Sequence, residues 1–178
     1  MHRLFVAIRP PRAMRQQLML LMHGIHAARW QSDDQLHLTL RYIGEVRGDV
    51  AEDIALALSR VTGPPVSLAL DGVGRFERRG RTDAVWAGVT PHAPLAALHR
   101  KIDQALIRIG LSPEGRAYLP HITLARLNAG SGPVDGFLAA NAGLSSGAEG
   151  VGDFRLYESH LGGEGAVYET VARYPLTG

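Results

Sequence analysis

The stretches "HLTL" (37–40) and "HITL" (121–124) are almost one word written twice. Along a strand the side chains alternate, so His37 and Thr39 share one face while Leu38 and Leu40 share the other, and His121 and Thr123 repeat the arrangement in front of Ile122 and Leu124. Each stretch can therefore bury two aliphatic groups in a core and present an imidazole and a hydroxyl on its open side. One such word would be an ordinary half-buried strand. Two of them imply a shared purpose.

The surrounding pattern supports a duplication. "FVAIRP" before one helical segment is similar to "WAGVTP" before another, with Pro10 and Pro91 separated by 81 positions, while His37 and His121 differ by 84. "GVGRF" at Gly72 recurs as "GVGDF" at Gly150, an offset of 78. Internal repeats of about 80 residues, 3–80 and 83–163, each read as strand, helix, strand, variable segment and strand, and a closing strand runs over 166–174. Helical spacing joins Met14, Leu18, Leu21 and Ile25. It recurs through Val50, Ile54, Leu58 and Val61, with Asp49 as cap, and through Leu95, Leu98, Ile102, Leu106 and Ile109. "VSLALDGVG" and "TDAVWAGV" read as strands around the arginine-rich turn "ERRGR", and two final strands form a hairpin around "GGEG". The expected class is α+β, a single bilobal domain over 1–178 with two pseudo-symmetric lobes. Each lobe is an antiparallel sheet backed by helices, and a central groove lies between them. In that groove the two words meet.

Composition narrows the chemistry. With no cysteine among 178 residues, disulfides, zinc thiolates and cysteine nucleophiles are excluded. The apolar run "LMLLMHGI" is interrupted by histidine and is far short of the roughly 20 residues a membrane span needs. "MHRLFVAIRP" lacks the form of a signal peptide, so a cytoplasmic chain with no membrane partner is expected. Of 19 basic residues only Lys101 is a lysine. Arginine's planar fork suits phosphate, although base composition of the genome is the favoured explanation of the bias.

Two imidazoles and two hydroxyls converging on one small volume suit a phosphate diester. The hydroxyls donate to nonbridging oxygens, and the imidazoles exchange protons with the attacking and departing oxygens. An ordinary pKa of about 6.5 lets one histidine be neutral while the other is protonated. No metal or cofactor is needed, and the chain has no HExxH, no phosphate loop ending in Lys-Ser or Lys-Thr, and no GxSxG elbow. His23 and His26 lack companion ligands and read as an exposed helix face.

The paired H-x-T-x words, "LRYIGEV", "YLPHITLAR" and the strand near Gly72 resemble the two-histidine phosphoesterase superfamily. Within it they are most similar to the RNA 2',3'-cyclic phosphodiesterases, also called 2'-5' RNA ligases. The resemblance covers essentially the whole chain. It implies hydrolysis of an RNA-terminal 2',3'-cyclic phosphate to a 2'-phosphomonoester without a metal, and the leading expectation is a monomer acting on RNA-terminal or nucleotide 2',3'-cyclic phosphates. By the same resemblance His37 is the proton donor to the leaving 3'-oxygen, His121 the base that activates water, and Thr39 and Thr123 the phosphate-holding hydroxyls. Symmetry alone does not assign acid and base. A 2'-5' end-joining ligase and a non-catalytic module binding nucleotide or RNA ends are the competing readings.

Arg126 matches a basic position of the family's second motif, yet simple alternation turns it away from His121, and only a bulge or strand end would bring it back. Arg41 shares the face of His37 by alternation and is the better geometric candidate, with a lobe-bridging role as the alternative for either. Phe76 is the preferred stacking platform for a base among Tyr42, Phe76, Trp86, Tyr118 and Tyr157. The tip holding Arg75, Arg78, Arg79 and Arg81 is a further candidate for RNA backbone.

Overall fold

Alternation and helical spacing together produce a two-layer molecule, helices on one side of a curled antiparallel sheet. The computed structural model describes residues 1–163 and 165–178. In chain order it contains β1 (His2–Ile8), α1 (Arg12–Met19), β2 (Arg29–Trp30), a 3₁₀ turn (Asp33–Gln35), β3 (Leu38–Val46), α2 (Gly48–Leu58), β4 (Val66–Arg78) and β5 (Arg81–Thr90). There follow α3 (His92–Arg108), β6 (His121–Arg126), α4 (Asp135–Ala140), β7 (Glu149–Val151), β8 (Asp153–Gly162) and β9 (Gly165–Pro175). The "GGEG" turn includes Glu164, which lies outside the described residues.

Leu4, Val6, Ile8, Leu38, Leu40, Ile122 and Leu124 point from the sheet into one core, where Met14, Leu18, Ile54, Leu58, Leu95, Ile102 and Leu106 meet them from α1, α2 and α3. The opposite, concave face has its own small cluster of Phe5, Ala7 and Tyr157, with Tyr168 packed on it. That face carries the histidines.

The strands run β7-β4-β5-β6-β3-β1-β8-β9, with β2 paired to β6. The two expected lobes are thus halves of one continuous sheet, joined where β3 and β6 pair through Leu38 and Ile122. The last strand of each sequence unit lies in the other half: β4 pairs with β5, and β8 with β1. This exchange ties the halves together twice through the chain.

Several expectations shift. α1 stops at Met19, and Leu21 and Ile25 reach the core from a turn in which Gly24 has φ +92°. Asp49 lies in the first turn of α2 and accepts a hydrogen bond from Arg47, while Arg47 itself is the N-cap residue. The "GVGRF" and "GVGDF" likeness is not structural. Gly74 lies opposite Trp86 and Arg155 opposite Ala7, so Phe76 on β4 corresponds to Tyr157, whereas Phe154 is buried in the helix-side core. Likewise Ala7 opposite Thr39, and not Phe5, occupies the position that Trp86 holds opposite Thr123.

Candidate active site

The Leu38–Ile122 pair fixes the geometry of the groove. In the antiparallel run through that pair, His37 comes abreast of Thr123 and Thr39 abreast of His121, all four on the concave face. The two histidines are then diagonal neighbours, roughly 7–8 Å apart at the backbone, on either side of the two hydroxyls. All four side chains are half-buried, whereas Leu38, Leu40, Ile122 and Leu124 behind them are buried.

Each imidazole is oriented in the same way. His37 Nδ1 lies 2.7 Å from the Gln35 carbonyl, and His121 Nδ1 lies 2.7 Å from the Leu119 carbonyl, in both arms the residue two positions earlier. A carbonyl only accepts, so Nδ1 carries the proton in both rings and Nε2 is left as the group that can take or give one. The segment before His37 is pinned further. The Arg9 guanidinium donates to the carbonyls of Asp33 and Leu36 at 2.6 and 2.8 Å, and Arg15 Nε donates to the Asp33 carboxylate at 3.0 Å.

Aromatic rings wall both imidazoles. Phe5 and Tyr168 stand 4.9 and 5.2 Å from the His37 ring. Phe76 and Trp86 stand 4.8 and 5.9 Å from His121. This burial holds His37 down at about 4, with the charges of Arg126, His121 and Arg9 adding to the effect and the Gln35 carbonyl opposing it. Burial also lowers His121, again with Arg126 contributing and the Leu119 carbonyl opposing. Both rings are therefore neutral near pH 7. Burial raises the Tyr168 hydroxyl, while Arg126 pulls it the other way.

The two arginines exchange places relative to expectation. In β3 the register against β1 jumps between Thr39, opposite Ala7, and Arg41, opposite Val6, so Leu40 is an extra residue. This bulge turns Arg41 to the helix side. There its guanidinium donates to Asp103 at 2.9 Å and to the carbonyls of Tyr42 and Ser112, with Glu114 at 3.9 Å. Arg41 is thus a buried tie to α3 and the loop after it, and its proposed place in the groove is corrected. In β6 the register against β5 jumps at the equivalent Leu124, between Thr123, opposite Trp86, and Ala125, opposite Val85. The same bulge returns Arg126 to the concave face, where its charge bears on His37, His121 and Tyr168.

The other candidates divide. Phe76 lies in the groove against the His121 ring. Tyr157 is buried under Phe5. Tyr118 donates its hydroxyl to the Thr39 carbonyl and stacks on His99. Tyr42, exposed on the concave side, occupies the position in β3 that Arg126 occupies in β6. At the arginine-rich tip, Arg75 pairs with Glu77 and Asp135, both at 3.3 Å. Sequence reasoning missed Phe5, Tyr168 and His99. Phe5 was findable from its alternation with Ala7. Tyr168 gave no signal, because it reaches the site only through the curl of the β8–β9 hairpin, whose Ala166 carbonyl accepts a hydrogen bond from Gln35.

The chain as a whole is similar to known proteins. The chain is 31% identical to an RNA 2',3'-cyclic phosphodiesterase of Escherichia coli (strain K12), with 98% of this chain and 97% of that protein covered. It is also 31% identical over 84% of its length to one from Geobacillus stearothermophilus, of which it spans about half, 48%. The crystal structure of E. coli LigT complexed with 3'-AMP superposes with a TM-score of 0.79 at 28% identity, covering 99% of each chain. The model of the 2'-5' RNA ligase superfamily matches residues 11–132, a span that holds both histidine arms and the bulges behind them, and the chain belongs to that superfamily.

Proposed function

We propose that this chain hydrolyses a 2',3'-cyclic phosphate at an RNA end, or on a nucleotide, to a 2'-phosphomonoester by two-histidine acid and base catalysis without a divalent cation. The observation that carries the reading is the matched pair of Nδ1 to carbonyl hydrogen bonds, which leave Nε2 as the exchanging atom of two histidines set diagonally across Thr39 and Thr123. In-line displacement at phosphorus needs its proton acceptor and donor on opposite sides. Water attacks phosphorus as His121 Nε2 takes its proton, the bond to the 3'-oxygen breaks, and His37, held as the imidazolium by the bound phosphate anion, gives its Nε2 proton to that oxygen. Thr39 and Thr123 donate to the nonbridging oxygens, and Arg126 offsets the charge that develops there. The division of roles between the histidines follows the family resemblance. That relatives bear the name RNA 2',3'-cyclic phosphodiesterase supports the substrate class.

Because one chain supplies both arms, a monomer suffices. We assign it to the cytoplasm, and among the described residues no helix is long and apolar enough to cross a membrane. The experiment is conversion of 2',3'-cyclic AMP or a cyclic-ended RNA followed by phosphorus NMR with chelator present. The 2'-phosphate should accumulate, and His37→Ala or His121→Ala should each slow it by roughly 10²- to 10⁴-fold with the fold intact. Wild-type turnover in the double variant would refute the mechanism. Linked product in place of 2'-phosphate would mark a ligase, and retention without conversion a binding module.

A further inference from the structure

The helical back of the molecule carries a cleft that the groove does not use. Between α2 and α3 lies a cavity of about 670 Å³, floored by Ala57, Val61 and Ala105 and rimmed by Arg60, Arg100, Lys101 and Arg108. Among the described residues none that lines it is acidic. Among the described residues none of the four cations pairs with a carboxylate. The nearest match, Asp103, is one turn from Arg100 but is held by Arg41.

Helix electrostatics accounts for two of these charges. Arg108 lies in the last turn of α3, and Arg60 lies just past the end of α2, where cations favour the dipole. Arg100 and Lys101 sit inside α3 and have no such reason. Their neighbours three and four positions away are Ala96, Ala97, Leu98, Gln104 and Ala105 apart from the committed Asp103. Lys101 spans to the Thr62 carbonyl at 2.9 Å, which carries its charge across to the end of α2 and adds to the like-charged set.

Resting on the reading of the groove given above, we propose that this cleft holds the sugar-phosphate backbone of the RNA whose end the groove processes. Four cations without an aromatic ring in the lining fit phosphates and not bases, so the contact is independent of sequence. The cleft lies across the sheet from the histidines, so a mononucleotide cannot engage both. A strand must round a body of roughly 16 Å radius of gyration to do so.

The test is the full chain carrying Arg60→Glu and Arg100→Glu, assayed on 2',3'-cyclic AMP and on an RNA long enough to round that body and ending in the same group. Hydrolysis of cyclic AMP should be unchanged. KM for the RNA should rise about tenfold at low salt with kcat unchanged, and its logarithmic salt dependence should flatten by roughly 1.4, two phosphate contacts at about 0.7 each. Arginine-to-lysine replacements at both positions should restore most of it. Unchanged KM and salt dependence beside normal cyclic AMP turnover would overturn the cleft and leave the groove reading standing. Were neither substrate hydrolysed by the wild type, the groove reading would fail, and equal RNA affinity of wild type and variant would then overturn the cleft independently.

Discussion

The β3 and β6 arms use one design and finish it differently. Each has its imidazole tied to a carbonyl two residues back, a threonine two residues on, and a one-residue bulge at the leucine that follows. In β3 the arginine comes directly after the bulged leucine and is driven into the helix layer. In β6 alanine takes that position and the arginine comes one residue later, on the groove side. A shift of one residue beside a bulge thus turns the same side chain from a groove-side cation into an internal brace. Symmetry of backbone does not impose symmetry of charge.

The sharpest way to break this comparison is to remove each arginine. Arg41→Ala leaves the half-buried Asp103 with only the Glu114 N–H and strips the Tyr42 and Ser112 carbonyls of their donor, so stability should fall by about 3 kcal/mol in urea titration. At a temperature where that variant remains folded, its kcat should stay near wild type. Arg126→Ala should do the reverse, lowering kcat/KM by about 1.5–3 kcal/mol in transition-state terms, roughly 10- to 150-fold, with little change in stability. If Arg41→Ala instead abolished turnover in a stably folded protein, the assignment of Arg41 to the helix layer would be wrong.

The same bulges explain what the sequence disclosed and what it hid. Alternation placed His37, Thr39, His121 and Thr123 on the correct face, because the strands are regular up to the threonines. One residue later the period breaks, and a rule with period two then sends Arg41 to the groove and Arg126 away from it, the inverse of the structure. Nothing in "HLTLR" or "HITLA" marks a bulge, since the extra residue is an ordinary core leucine in both. Helix faces were legible from spacing, but the end of α1 was not, because Leu21 and Ile25 keep the apolar rhythm while leaving the helix. The exchange of β4 and β8 between halves is a property of long-range pairing, and no local signal carries it.

A second contrast between the arms is electrostatic. The depression of His37 to about 4 from an ordinary 6.5 means that the unfolded chain takes up a proton well before the folded one does. Stability must therefore fall as pH drops through 6.5 toward 4, by about 2–3 kcal/mol for this group. His37→Gln should remove that part of the slope, while His121→Gln should remove a portion of the same sign; urea midpoints at pH 7 and 4.5 compare the two. In catalysis one ring must be protonated and the other neutral, so the kcat/KM optimum of the free protein should lie on the acid side of 6.5. A bound phosphate anion favours imidazolium, and the kcat profile should be displaced to higher pH. Coincident profiles with an optimum above 7 would contradict the burial of His37.

The smallest effect expected comes from His99, which does with a side chain in one arm what the Gln31 backbone N–H does in the other, where it bonds the Leu124 carbonyl at 2.8 Å. Buried in α3, it donates from Nδ1 to the carbonyl of Leu40 at 2.6 Å and stacks on Tyr118 at 4.4 Å. Leu40 is the bulged residue, and a bulge leaves a backbone group without its ladder partner, so an interior donor keeps that carbonyl from being buried unpaired. His99→Phe retains a flat ring for Tyr118 but removes the donor, and should cost about 1–2 kcal/mol of stability. If the bulge is what turns Arg41 inward, the loss should be smaller in an Arg41→Ala background than in the wild type, because the two groups secure the same backbone turn. Strict additivity in that double-mutant cycle would show that bulge and arginine are held independently.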